Sequence, residues 1–320
     1  KQHWAKQAKV FFELRSTVSY VSLEQWLAVN GEGVYTNMHP DYPIATPLLQ
    51  AWIAIALGYW DNSLINTPWL LMWLGIGLIF YAQARIAGAT LPLAMAATYM
   101  VLSLPYLNIQ VALAGYADLL LALGYLGSFA AFTAWVQTRA RWQLMFALAS
   151  GAGCLLIKNE GFFWLLSLVP GLLLALAGFR KGLIWLAIGA VILLLTLIFM
   201  PPELTIAGHS LASMDIQYRP QSVVPIYLSS FVHDNWHMLA YLFAAALLAV
   251  PLRARELLPV AAILVSALCL YLALYLLTSN AYGAVRFTSL NRVALQFVPA
   301  IAFFVLAVFL SLSTNRAARP

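Results

Sequence analysis

The chain has 320 residues, 63% hydrophobic and 9% charged, with mean hydropathy +0.85 and formal net charge +6. A soluble globular protein carries about 25% charged residues and about 45–50% apolar ones. This composition excludes a soluble enzyme, a disordered chain and a nucleic-acid binder with a basic face; it describes an all-α, polytopic integral membrane protein. Cys154 and Cys269 both lie in apolar runs and build no disulfide framework. The chain starts at Lys1 without a methionine or a signal peptide, so a segment ahead of it is expected.

In chain order, residues 1–64 form an expected external piece. It opens with an amphipathic helix (WAKQAKVFFEL), continues through a polar stretch (VNGEGVYTNMHPDYP) and ends in the apolar run 44–58. A bilayer core about 30 Å thick needs roughly 20 apolar residues per helix. Nine runs approach that: 65–84, 91–107, 112–136, 142–157, 162–179, 183–200, 238–252, 257–277 and 293–313. They divide the rest of the chain into a six-helix membrane module (65–200), an external loop (201–237) and a three-helix membrane module (238–320). Loop 201–237 is long for a membrane protein unless it has work to do.

The charges orient these spans. Arg85, Arg139, Arg141, Arg180, Lys181, Arg253, Arg255, Arg316 and Arg319 fall in every second connection, and Glu256 is the one acid that accompanies them. Positive residues collect on the cytoplasmic side. Residue 65 is therefore expected outside and the C-terminus inside an inner or plasma membrane. The other acids, including Glu13, Glu24, Glu32 and Asp41, and all five histidines gather at the outer face. Run 44–58 is short for a span, and crossing would carry residues 1–43 with their acids inside. A helix lying at the outer interface is the expected alternative, with Trp52, Tyr59 and Trp60 at headgroup level.

Several residues near apolar runs are candidates for chemistry. Asp118, in AGYADLLLALGYLG, is an ionisable group at the outer end of a span, which marks a site by default. The bland alternative is a carboxylate facing water and favoured by the helix dipole. Lys158 and Glu160 lie in the tight turn LLIKNEGFFW. One reading has them complement two helix ends; the other has a cation held at headgroup depth for a lipid phosphate. HPDYP holds His39, Asp41 and Tyr42 just outside the membrane, since residues before proline stay extended, while Asp41 and the prolines also suit a helix start. Arg286 and Arg292 flank the outer entry to the last span, as phosphate ligands or as ordinary snorkelling side chains. Trp236, His237 and Arg219 are weaker candidates. No HExxH spacing, glycine-rich phosphate loop, nucleophile elbow or CxxC is present. No cofactor is expected, with a divalent metal left open.

Together, HWAKQAKVFF with HPDYPIATPLLQAW, AGYADLLLALGYL, LIKNEGFFW and SLNRVALQFVP resemble stretches of the polytopic GT-C-fold glycosyltransferases. The nearest likeness is to bacterial relatives of the protein O-mannosyltransferase and aminoarabinose-transferase group. The likeness is spread over most of the chain, in short motifs. It implies an interfacial helix where 44–58 lies. It also implies a principal catalytic aspartate early in the first external loop, ahead of His3 and Trp4. No aspartate stands there, so that base is expected upstream of Lys1, and Asp41 does not automatically take its place.

The resemblance further implies an inverting transfer of sugar from a polyprenyl-phosphate donor to an acceptor hydroxyl of a glycan, lipid or protein on the extracytoplasmic face. Asp118 and Asp41 are then the candidate catalytic carboxylates. Lys158, Arg286 and Arg292 are the phosphate-facing cations, and Glu160, His39 and Tyr42 are further substrate contacts. A lipid-linked-sugar flippase or other secondary transporter is the alternative. That alternative expects interrupted helices matched in the two halves, and the sequence shows none.

Overall fold

The computed structural model describes residues 2–30, 34–37, 39–199, 205–206, 209–210 and 215–317. Glu32 and Arg319 lie outside the described residues, as do parts of the 201–237 loop. The described chain is largely helical, with two short two-stranded pairings: β1 (Tyr20–Val21) with β2 (Tyr35–Thr36), and β3 (Thr205–Ile206) with β4 (His209–Ser210).

Helices α1 (Gln2–Leu14), α2 (Leu23–Ala28) and α3 (Ala45–Leu57) make up the N-terminal piece. α1 packs on α3 through Ala8 and Phe11 against Ala51, and through Phe12 against Ala54 and Ile65. At 1.5 Å per residue, α3 is about 20 Å long, short of a bilayer core. It ends at Gly58, whose φ of 79° closes the helix in a left-handed turn.

The next seven helices are α4 (Thr67–Ile86), α5 (Leu91–Leu102), α6 (Pro105–Ala112), α7 (Asp118–Thr138), α8 (Arg141–Gly153), α9 (Gly161–Ala177) and α10 (Phe179–Phe199). After the loop come α11 (Val223–Tyr227), α12 (Leu239–Arg253), α13 (Leu258–Leu277), α14 (Ala281–Val285), α15 (Leu290–Leu295) and α16 (Val298–Ala317).

Three described stretches are long and apolar enough to cross a membrane: Leu64–Ile86, Asp118–Thr138 and Arg255–Leu277. α5 and α6 make a fourth if they count as one span bent by 59°. α3, α9, α12 and Val298–Thr314 are apolar but shorter. Each of the nine expected runs overlaps one or more helices among the described residues, and three or four stretches meet the length and hydropathy of a span. Run 91–107 reads as continuous by hydropathy, yet the chain breaks at Ser103–Leu104. Pro105 has no N–H to continue the ladder, and it pushes Leu104 out of helical geometry (ψ 124°). Gly115, at φ 100°, then turns the chain, so α7 starts at Asp118 rather than at 112. The last run is also interrupted. Gln296 N–H and Phe297 N–H bond to the carbonyls three residues back, a tightened turn between α15 and α16.

α7 is the central post: 78% of its apolar window is buried inside the protein, against 39% for each of the other two long stretches. Small residues let neighbours come close. A Cβ on Gly127 would stand 2.9 Å from Ser150 Oγ, and one on Gly124 3.0 Å from Cys154 Sγ. Hydroxyls then bolt the helices together. Ser128 donates to the Ala147 carbonyl and Ser150 to the Gly124 carbonyl, both at 2.8 Å, while the Tyr125 and Ser167 hydroxyls pair at 2.8 Å. Outward faces carry exposed leucines such as Leu70, Leu71, Leu74 and Leu78 of α4.

The α8–α9 corner is the tightest point. A Cβ on Gly161 would sit 2.0 Å from the Cys154 carbonyl oxygen, whereas one on Gly153 meets nothing within 4 Å. Gly161→Ala is expected to cost about 1–3 kcal/mol or more, as overpacking does. Gly153→Ala should stay within about 0.5 kcal/mol of wild type. Thermal unfolding of the two purified variants in detergent checks this.

Candidate functional site

The site is assembled from the α8–α9 corner, the start of α7 and the turn between α15 and α16. The Gly161 packing folds the KNEG turn back under Cys154 and points the Lys158 side chain inward. Its ammonium stands 3.0 Å from Asp118 Oδ1 and 2.7 Å from Glu160 Oε1, and Lys158 is 4% exposed. Glu160 does stand at the N-cap of α9, as the helix-end reading has it, but its side chain makes no cap bond and pairs with Lys158.

Asp118 is fully buried and does not face water. Its Oδ1 accepts from Lys158 Nζ at 3.0 Å and from Gln296 Nε2 at 2.6 Å. Its Oδ2 meets Arg292 through Nε at 2.9 Å and Nη2 at 2.8 Å. A carboxylate offers about four acceptor positions; three hold hydrogen bonds, and the Arg292 Nη2 contact crowds Oδ2 further. That geometry does not suit the general-base role expected for Asp118; it suits an anchor that fixes two cations. The charges of Asp118, Glu160, Lys158 and Arg292 sum to zero.

Arg292 is held on a second side by the Tyr116 ring, 4.3 Å from its guanidinium carbon. It is the more open of the two cations, with a side chain 26% exposed, and among the described residues its Nη1 has no bonded partner. Snorkelling is therefore not its arrangement. Arg286 does not join the cluster: it is exposed and lies over Tyr282 at 4.1 Å.

The N-terminal piece reaches the same place. Asn159 Nδ2 donates to Asp41 Oδ2 at 2.7 Å, tying HPDYP to the KNEG turn. Asp41 itself is exposed. Tyr42 stacks between His39, with ring centres 4.7 Å apart, and Trp4 at 5.5 Å. Burial, then the Glu160 charge, pushes the Tyr42 phenol up to about 12. Burial works to lower the Lys158 pKa, but the Asp118 and Glu160 carboxylates outweigh it and raise it. Thus Asp41, Tyr42, His39, Asp118, Lys158, Glu160 and Arg292 share one region.

Trp236, His237 and Arg219 lie in local contacts. Trp236 packs on Tyr106, His237 faces Asp234 at 3.6 Å, and Arg219 pairs with Asp215. No group of three or more His, Cys, Asp or Glu that could hold a metal occurs among the described residues.

Sequence reasoning missed Gln296 and Trp164. Trp164 Nε1 donates to Gln296 Oε1 at 2.6 Å, which orients the amide so that its Nε2 faces Asp118. A neutral glutamine in an apolar run reads as filler. Its spacing from Arg292, four residues along one helical face, was the available signal.

An apolar groove of about 460 Å³ lies between α3, the start of α7 and the end of α8, and none of the charged side chains of the cluster lines it. It is lined by Leu48, Leu49 and Trp52 of α3, Leu120 of α7, and Leu156 and Ile157 next to Lys158. No protein-family model, curated protein or solved structure matches the chain.

Removing one partner from a buried ion pair strands the other, at about 3–5 kcal/mol. Asp118→Ala is expected to destabilise by that order. Trp164→Phe, which leaves a buried carbonyl unsatisfied, should cost about 1–3 kcal/mol. Denaturant or thermal unfolding in detergent measures both. The pH dependence follows from Tyr42 and Lys158, whose pKa values are raised above the ordinary 10.0 and 10.5. Their stabilisation is complete below those ordinary values and is lost as pH rises through the folded-state values, about 12 for Tyr42. Thermal stability should therefore hold up to about pH 10 and fall above it, with a shallower fall in Tyr42→Phe.

Proposed function

We propose that this chain is a GT-C-like membrane glycosyltransferase with about nine membrane helices. On this reading it moves a sugar from a polyprenyl-phosphate donor to an acceptor hydroxyl at the extracytoplasmic face, with inversion. The observation that carries the reading is the cation pair Lys158–Arg292, anchored on buried Asp118; an apolar groove whose lining includes Ile157 and Leu120, near neighbours of Lys158 and Asp118 in the chain, supports it. An anionic head on a long apolar tail is the ligand class that such a place fits. The cluster stands at the first residue of a span rather than in its middle, which suits a headgroup-level reaction.

In the proposed reaction a carboxylate takes the proton of the acceptor hydroxyl as its oxygen attacks the anomeric carbon. The bond from that carbon to the phosphate oxygen breaks, and the electron pair leaves with the polyprenyl phosphate. Fixed donors aimed at the developing charge lower the barrier. Arg292 is the accessible donor and Lys158 supports it. Asp118 and Gln296 hold both in place. The resemblance puts the principal base ahead of Lys1; within this chain, Asp41 is the exposed carboxylate at the site. Glu160 and Tyr42 are placed to meet sugar hydroxyls.

One observation favours the alternative of a lipid-linked-sugar flippase: helices interrupted at Ser103–Leu104 and at Gln296–Phe297. Broken helices lining a site are a transporter trait. The two readings separate in one assay. The full protein, given a synthetic polyprenyl-phosphate sugar and a hydroxyl acceptor, should release polyprenyl phosphate. Arg292→Ala and Lys158→Ala should each lower turnover by about 10²-fold or more, the scale of losing one charge-stabilising donor. Normal turnover in both variants overturns the site assignment. Donor moved across vesicles without being consumed supports the flippase.

A further inference from the structure

Residues 223–232, in the later part of the 201–237 loop, form a two-sided strap ahead of α12. α11 continues into a π-helical turn, Leu228–Val232. One side is buried: Ser222, Pro225 and Ser229, with the Ser229 hydroxyl bonded to Asn291 Oδ1, next to Arg292. The chain after the strap is pinned as well. Trp236 packs on Tyr106, whose N–H donates to the Asn235 carbonyl at 3.3 Å. The strap thus crosses α15 and α6, which pack on each other at the Arg292 side of the site.

The other side is apolar and uncovered. Val224, Tyr227 and Phe231 stand three and four residues apart, one helical face, with Val224 62% and Tyr227 55% exposed. This stripe is continuous with the outward face of α12. Tyr227 stacks on Phe231 at 5.8 Å, Phe231 meets Tyr241 edge-on at 5.2 Å, and the Tyr241 hydroxyl donates to the Phe231 carbonyl at 3.1 Å. Below Tyr241 the same helix exposes Leu242, Leu248 and Leu252.

α12 has 15 residues, about 22 Å, and falls short of a bilayer core by about 8 Å. An apolar extension at its outer end removes that mismatch. Tyrosines, with an apolar ring and a polar tip, are the side chains enriched at headgroup level.

We infer that the strap is a membrane-interface anchor: Val224, Tyr227 and Phe231 dock into the boundary between headgroups and acyl chains. It extends the lipid-facing surface of α12 and holds the Arg292 side of the site at that depth. The inference does not depend on the sugar-transfer reading.

The full chain carrying Cys269→Ser, with Cys154 left in place because it is buried, is reconstituted in phosphatidylcholine–phosphatidylglycerol vesicles. A nitroxide is attached at Val224→Cys or Tyr227→Cys, and at Asp234→Cys as the exposed reference. Its collisions with oxygen, which partitions into the bilayer, are compared with those of a water-soluble nickel chelate. The expected result is an oxygen-to-nickel ratio several-fold higher at 224 and 227 than at 234. Equal ratios overturn the inference. Should the cysteine variants fail to fold, a benzoylphenylalanine at position 231 replaces them. A photo-adduct with phospholipid supports the anchor, and an adduct with a protein chain, or none, overturns it.

Discussion

The buried carboxylate of Asp118 holds the site together. Donors from residues 158, 292 and 296 converge on its two oxygens. Each of those residues lies at an irregular point of the chain: Lys158 in a tight turn, Arg292 in a six-residue helix, Gln296 in a tightened turn. Irregular backbone inside an apolar protein needs its polar groups satisfied internally. Here the side chains at the breaks satisfy one another. A buried ion cluster is weak evidence for stability, because apolar packing of equal volume often does as well. What Asp118 secures is the direction in which two cations point.

The architecture follows from that demand. α7 must be central so that its first residue is inaccessible to water, and its glycines, alanines and Ser128 let α8 and α9 approach closely enough to shut it in. Gly161 must lack a side chain so that Lys158 can turn toward it. The N-terminal helices close over the result, with Asn159 and Asp41 as the seam and the His39–Tyr42–Trp4 stack beside it.

Much of this was readable beforehand because charge is so scarce in the chain. A lone acid at a span end, a cation in a turn between apolar runs and an arginine ahead of the last span marked three members of the cluster. Proline spacing in HPDYP marked a fourth group. What hydropathy did not carry was direction. It could not tell Arg292, aimed at Asp118, from Arg286, stacked on its own helix. Nor could it separate a continuous span from one broken at Leu104, since both halves are equally apolar. Gln296 and Trp164 stayed hidden because each looks like ordinary filling until the other is seen across the bundle. The surroundings of Asp118 are hidden for the same reason: its burial and its number of donors are properties of packing alone.

The electroneutrality of the four-charge cluster bears on how a ligand arrives. Two positive and two negative groups within a few ångströms project little field beyond their immediate neighbourhood. Long-range steering through water, which speeds capture of charged molecules by unbalanced clefts, is therefore weak here. A molecule with a lipid tail has another route: it is confined to the plane of the membrane and searches in two dimensions. On the proposed reading the apolar groove lined by α3 receives the tail, and the cations act on the head only at short range. If the proposed lipid-linked donor is the ligand, its capture responds to the amount of lipid in the bilayer more than to the ionic strength of the medium.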